Sequence, residues 1–336
     1  MKQKILIIYA GGTIGMQATE NGYVPVAGFE QQVRQQLRTD NSRQLPAYEM
    51  LELDKLIDSS NLQPHHWTEL ARIMEAHWQQ YDGFVLLHGT DTMAYTASML
   101  SYMLQGVDKP VIITGSQIPL VELRNDAQDN LITSLMLAGG YDIPEVCIYF
   151  NGRLLRGNRA SKLKSTGLDA FDSPNYGHLG KAGINIELYR ERLLSSSAPL
   201  FNIPAFNSDA VVVLPVYPGL SARVARDLLN HSSVKGVVLH TYGAGNPPDA
   251  NTELMVLLEQ TVQRGIFIVN VTQCVQGAVS QGAYATGATL NRIGVIPGND
   301  LTLEAAFTKL HYLIATAPKD KISQLMNQSL CGEMSE

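Results

Sequence analysis

Seven short runs of β-branched and aliphatic residues recur along the chain, at 5–10, 84–88, 111–114, 146–150, 211–216, 237–240 and 266–271. Near-continuous apolar runs of this length suit parallel strands covered on both faces. Between them lie helical patterns. In 92–105, Met93, Ala97, Leu100 and Leu104 fall on one helical face. Asp91 or Thr92 is placed to cap that helix, and Gly106 to end it. Trp67, Leu70, Ile73, Met74 and His77 repeat the pattern, with Pro64 where a first turn would begin. Strand alternating with helix predicts an α/β fold of two domains, each a mostly parallel sheet flanked by helices, the larger N-terminal one doubly wound. The stretch around Ser195-Ser196-Ser197, Pro199 and Pro204 has no period. It reads as a linker over 191–210, between domains at 1–190 and 211–336.

Composition narrows the function class. Charged residues make up 17% of the 336, and 31 acidic against 25 basic residues give a net charge of −6. Nothing there calls for nucleic acid as a partner. The longest stretch free of Asp, Glu, Lys and Arg, 265–291, is broken by Asn, Gln and Gly. It is no membrane span. Six apolar residues after Met1-Lys2-Gln3-Lys4 are short for a signal peptide, which places the protein in the cytoplasm. Cys147, Cys274 and Cys331 are too dispersed for a disulfide framework or a zinc pattern. The eight histidines show no paired metal-ligand spacing, so no catalytic metal and no cofactor is expected.

In open α/β sheets ligands bind beyond the carboxyl ends of the strands. The first run ends at Gly11-Gly12-Thr13, the second at His88-Gly89-Thr90-Asp91-Thr92 and the third at Thr114-Gly115-Ser116-Gln117. Two glycines let the backbone turn sharply with no Cβ in the way of a ligand, and a hydroxyl follows. The segment matches neither a dinucleotide fingerprint nor a phosphate loop. A turn with a Thr cap would explain it equally well. Three polar residues at 90–92 exceed what one helix cap needs. His88, ending a buried run, reads as a packed, hydrogen-bonded histidine. The 15–28 stretch, poor in bulky apolar residues and carrying Asn21-Gly22, reads as a mobile lid.

Gly11-Gly12-Thr13-Ile14 followed by His88-Gly89-Thr90-Asp91-Thr92-Met93 resembles the two motifs of the bacterial-type L-asparaginases, the threonine amidohydrolases unrelated to the N-terminal-nucleophile class. Asp58-Ser59-Ser60, Thr114-Gly115-Ser116-Gln117 and Arg156-Gly157-Asn158-Arg159 also resemble family segments. The spacing agrees across nearly the whole length. Gly22-Tyr23-Val24-Pro25 and Asp58-Ser59-Ser60 look like the cytoplasmic type I branch.

The resemblance implies L-asparagine as substrate and a role for each matching residue. Thr13 would attack the side-chain amide, and Tyr23 would hydrogen-bond Thr13 and help activate it. Thr90, Asp91 and Lys162 would form a second group, with Asp91 binding the α-ammonium. Asp58, Ser59 and Ser60 would hold the amino and carboxylate ends. The path would run through an acyl-enzyme, with L-glutamine as a side substrate. A Thr hydroxyl is a weak nucleophile and needs a base. Lysine serves as one only when neutral, and Asp91 alongside opposes that. Lys162 is therefore either a base or the residue that holds the network. Charge patterning alone does not choose Lys162 over Lys164; the family spacing chooses Lys162.

Relatives of the type I branch are dimers or tetramers, so a homodimer or homotetramer is expected. Some are switched by asparagine at a second site, which here would involve His240, Asn246 and Cys274. His240 stands where the regulated relatives carry Arg, replacing a permanent cation by a titratable one. Effector response is expected to be weak, or to strengthen as His240 protonates below about pH 6.5. Two other readings were open. An amidotransferase subunit of the same family carries an extra N-terminal domain, for which a first motif at Gly11 leaves no room. A non-catalytic small-ligand-binding α/β module would not need all five chemical residues together.

Overall fold

A computed structural model describes residues 3–20, 22–25, 28–37, 45–282 and 285–335. The chain forms two compact units, Met1–Ile203 and Pro204–Glu336.

The first unit begins with β1 (Lys4–Tyr9), the hairpin β2 (Met16–Thr19) and β3 (Gly22–Pro25), α1 (Phe29–Gln36) and β4 (Ala47–Glu52). Next come α2 (Pro64–His77), β5 (Gly83–Leu87), α3 (Met93–Met103), the two-residue β6 (Leu104–Gln105), β7 (Val111–Thr114), α4 (Ala127–Gly140) and β8 (Val146–Phe150). Then follow β9 (Arg153–Arg156), β10 (Ser161–Lys162), β11 (Phe171–Asp172), β12 (Gly180–Ala182), β13 (Ile186–Leu188) and β14 (Leu200–Phe201). Eight strands make one sheet in the order β13-β12-β9-β8-β7-β5-β1-β4. The five from β8 to β4 run parallel, and β9, β12 and β13 continue the sheet antiparallel.

Of the five parallel strands, β1, β5, β7 and β8 are those expected from the apolar runs, and β5, β7 and β8 are buried at every position; β4, an edge strand with no fully buried position, was not expected. The antiparallel extension was not expected, because its short strands mix buried with exposed positions. Pro64 opens α2, as its missing N–H allows. Gly106 adopts the left-handed conformation just after α3. Thr92 stands at the N-cap of α3 but makes no side-chain cap; its hydroxyl donates instead to Ser59 O at 2.7 Å. That diversion ties two loops of the carboxyl rim together. Part of the 191–210 stretch belongs to this unit, since β14 pairs with β6.

The second unit carries a four-stranded parallel sheet, β15 (Val211–Pro215), β16 (Gly236–Thr241), β17 (Phe267–Thr272) and β18 (Ile296–Pro297), in that order. Its helices are α5 (Ala222–Leu229), α6 (Thr252–Gln263), α7 (Ala285–Ile293), α8 (Leu303–Thr316) and α9 (Ile322–Met326). Lys309 of α8 is fully buried and pairs with Glu333 at 2.6 Å, holding the C-terminal residues onto the helix. Among the described residues no helix is long and apolar enough to cross a membrane.

Candidate active site

Three rim loops of the first unit converge on a single contact. Gly11 and Gly12 both adopt left-handed backbone, with φ of 117° and 90°. A β-carbon on Gly12 would lie 2.4 Å from the Gly89 nitrogen and 2.5 Å from its Cα. One on Gly89 would lie 2.4 Å from Ser59 Oγ. The backbones that carry Thr13 and Thr90 therefore touch, and the Ser59 side chain packs on the second, where any side chain at Gly12 or Gly89 would hold them apart. Thr13 opens a single 3₁₀ turn, Thr13–Gly15, and is half-buried. Leu120 N–H donates to Ile14 O at 3.0 Å and fastens that turn from behind.

His88 fixes the second loop from below. Its ring is fully buried, with Nδ1 donating to Gly89 O at 2.7 Å and Nε2 accepting from Thr96 Oγ1 at 3.0 Å. Thr96 accepts in turn from Trp67 Nε1 at 3.2 Å. Burial pulls the imidazole pKa down to about 4, against a smaller opposing effect of the Gly89 bond. His88 is thus a neutral strut beneath Gly89 and Thr90.

Lys162 reaches this rim from β10, whose register with β11 pairs it with Phe171. Its Nζ donates to Thr90 Oγ1 at 2.8 Å and to Asp91 Oδ1 at 2.7 Å. Lys164 pairs instead with Asp169. Of the two lysines left open by charge patterning, Lys162 is the one that meets Thr90 and Asp91. The Thr90 hydroxyl donates to Gln117 Oε1 at 3.3 Å. Gln117 Nε2 donates to Ser165 O and Gly167 O, both at 3.1 Å. The Asp126 carboxylate accepts from the Gln117 and Ile118 N–H groups. No role had been given to Gln117; its signal was its place just past β7, on the same rim.

Asp58 accepts from Ser60 N–H at 3.1 Å and Asn61 Nδ2 at 3.4 Å, which shapes the 59–61 turn. Ser59 is buried, and its Oγ accepts from Asp91 N–H at 3.3 Å. Ser60 and Asp58 face solvent. The structure thus brings Asp58–Ser60, Thr90, Asp91 and Lys162 into one connected network. Thr13 adjoins it through the Gly12–Gly89 contact, and Tyr23 stands apart. Its hydroxyl, expected to meet Thr13, donates to Glu122 Oε1 at 2.9 Å, and its side chain is half exposed. A carboxylate is a stronger acceptor than a neutral hydroxyl, and the β2–β3 hairpin carries Tyr23 to it. Residues 21, 26 and 27 of the segment read as a lid lie outside the described residues. Among the described residues no group of three His, Cys, Asp or Glu side chains is placed to hold a metal ion.

In the second unit, His240 Nε2 donates to Thr272 O at 3.0 Å. Burial lowers the His240 pKa, partly offset by that bond. Asn246 bridges back to Tyr242 through its backbone, and Cys274 N–H donates to Thr272 Oγ1 at 3.0 Å. Of the three residues expected at an effector site, His240 lies near the end of β16, Asn246 in the turn after it and Cys274 just past β17.

Comparison with known proteins decides the family. The model of the asparaginase N-terminal domain matches residues 4–194, and that of the glutaminase/asparaginase C-terminal domain matches 210–326. The chain belongs to the asparaginase family. L-asparaginase 1 of Escherichia coli K12 is 45% identical over 338 residues, spanning 99% of this chain and 98% of that protein. A human 60 kDa lysophospholipase is 39% identical over 357 residues, but only 62% of that longer protein is covered. The crystal structure of L-asparaginase I from Vibrio cholerae superposes with a TM-score of 0.91 at 44% identity, covering both chains fully. This asparaginase is accordingly a hydrolase of amides.

Proposed function

We propose that this asparaginase hydrolyses L-asparagine to L-aspartate and ammonia. The observation that carries the reading is Lys162 bridging Thr90 and Asp91 beside the Gly12–Gly89 contact. Thr13 Oγ attacks the side-chain amide carbon, its proton passing to the network. The C–N bond breaks and ammonia leaves with that proton, so the substrate is held as an ester on Thr13. Water, oriented by Thr90 and Lys162, then cleaves the ester. The Asp91 carboxylate, 60% exposed, is open to the substrate ammonium. Asp58 and Ser60 complete the cradle. The Asp91 N–H is committed to Ser59 Oγ, which leaves the Thr90 N–H as a donor to the developing oxyanion. A well-placed donor of this kind contributes about 3–4 kcal/mol to the transition state. Tyr23 serves this chemistry only when released from Glu122.

The rest of the reading follows the family resemblance. The enzyme is cytoplasmic, acts as a homodimer or homotetramer and takes L-glutamine as a side substrate. Residues 1–190 carry the threonines, and 211–336 supply subunit contacts and the candidate effector site. Burial of His240 moves any pH-linked effector response below the ordinary imidazole range. Ammonia release from L-asparagine by the purified chain tests the substrate, and parallel kinetics on L-glutamine measure the preference. Thr13→Ala and Thr90→Val should each abolish turnover in a folded protein. More than a tenth of the activity left in either would overturn the role given to it.

A further inference from the structure

Tyr9 ends β1 with its ring fully buried, beside Ile14 and Phe29 in the core. Its ring centroid is 4.5 Å from that of Phe29. The Tyr9 hydroxyl has no hydrogen-bond partner among the described residues. Filling this space does not need that oxygen, since Phe would offer the same ring without an unmet polar group.

The hydroxyl points at the turn that carries Thr13. A β-carbon on Gly15 would lie 2.1 Å from the Tyr9 oxygen and 2.6 Å from Cζ. Gly15 does not adopt a left-handed φ, so its requirement is for space rather than for backbone freedom. Gly15 N–H donates to Gly12 O at 3.2 Å, and Met16 N–H closes on Thr13 O. The turn is therefore held at the front by Gly12 against Gly89, behind by the Ile14–Leu120 bond, and below by the Tyr9 oxygen.

We infer that Tyr9 is a positioning residue for Thr13: its hydroxyl is the spacer on which Gly15 rests, and it sets the height of the turn that presents the Thr13 hydroxyl. This rests on the reading of Thr13 as nucleophile. A methyl on Gly15 must move more than 1 Å to reach ordinary contact with the phenol. Misplacement of about 1 Å at a reacting atom costs on the order of 100-fold in rate.

Steady-state kinetics per folded site, with thermal melting alongside, test this. Tyr9→Phe removes only the spacer and an unmet polar group. It should lower kcat five- to tenfold with KM changed less than twofold and Tm not lowered. Gly15→Ala should lower kcat about 100-fold. In Tyr9→Leu/Gly15→Ala, where the methyl has room, kcat should rise at least tenfold above Gly15→Ala alone. A role in stability only would move Tm and leave kcat and the rescue unaffected. A Tyr9→Phe enzyme with wild-type kcat, or a double variant no faster than Gly15→Ala, overturns the inference. Thr13→Ala separates the two claims. If it stays active, the nucleophile assignment has failed; if it is inactive while Tyr9→Phe is unaffected, only the spacer has failed.

Discussion

Replacing Lys162 by Met removes the ammonium and keeps most of the stem. Two consequences of very different size should follow. The pair with Asp91 spans 2.7 Å. Such charges attract by about 1.5 kcal/mol at the dielectric of water and about 6 kcal/mol at an effective value of 20. Asp91 is 60% exposed and Lys162 20% exposed, so screening favours the lower figure. After the entropy of fixing a long side chain, loss of the pair should cost folding at most about 1 kcal/mol. Catalysis should suffer far more. Lys162 donates to Thr90 Oγ1 at 2.8 Å, and without it, among the described residues, only the longer bond to Gln117 Oε1, at 3.3 Å, orients that hydroxyl. Loss of a positioned acid–base group typically costs about 10²–10⁴-fold in rate, or roughly 3–5 kcal/mol. The Michaelis constant should stay level or fall, because Asp91 would face the substrate ammonium without a competing cation. Urea denaturation and ammonia-release kinetics on the same preparation provide both readouts. A kcat within tenfold of wild type would refute the reasoning, as would a stability loss of several kcal/mol large enough to explain the rate.

Gly12→Ala should lose at least 100-fold in activity and about 1–3 kcal/mol of stability, because its β-carbon would strike Gly89 at 2.4 Å from a left-handed φ. Melting curves and kinetics check it, and a fully active variant would show that the loops tolerate separation. His88 and His311 are both held to a pKa of about 4 by burial. The unfolded chain takes up their protons near pH 6.5 while the folded chain resists until about pH 4, so stability falls as pH drops through that window. At pH 5 each histidine should account for about 2 kcal/mol of the loss. Denaturation at pH 7.5 and 5.0, repeated on His88→Gln, should find that share missing in the variant. Arg156→Met should destabilise the first unit by about 3–5 kcal/mol, since it strands the buried Glu145 carboxylate paired at 2.7 Å. A change under 1 kcal/mol by chemical denaturation would contradict that.

The central parallel strands were legible because burial on both faces leaves a continuous apolar run, whereas the half-exposed edge strand β4 left none. Glycine at 11, 12 and 89 was visible as a turn signal, but its reason, backbone on backbone at 11 and 12 and the Ser59 side chain on Gly89, needed the loops to meet. The antiparallel extension was hidden because short strands with exposed positions carry no period. Thr92 read as a helix cap, and a tertiary partner, Ser59 O, took its hydroxyl instead. Tyr23 was placed by family likeness on Thr13, yet a carboxylate distant in sequence captured it. Charge patterning could not separate Lys162 from Lys164, and the family spacing chose Lys162; in the fold Lys162 meets Thr90 and Asp91 while Lys164 pairs with Asp169. Gln117 and Tyr9 were overlooked because one carries no charge and the other looked like core.

Acid quenching during turnover of L-asparagine, followed by mass analysis of the peptide that carries Thr13, tests the nucleophile most directly. An aspartyl group should be found on the Thr13 hydroxyl in the wild-type enzyme and be absent in Thr13→Ala, which should release no ammonia. An adduct on Thr90 instead, or undiminished ammonia release by Thr13→Ala, would contradict the mechanism.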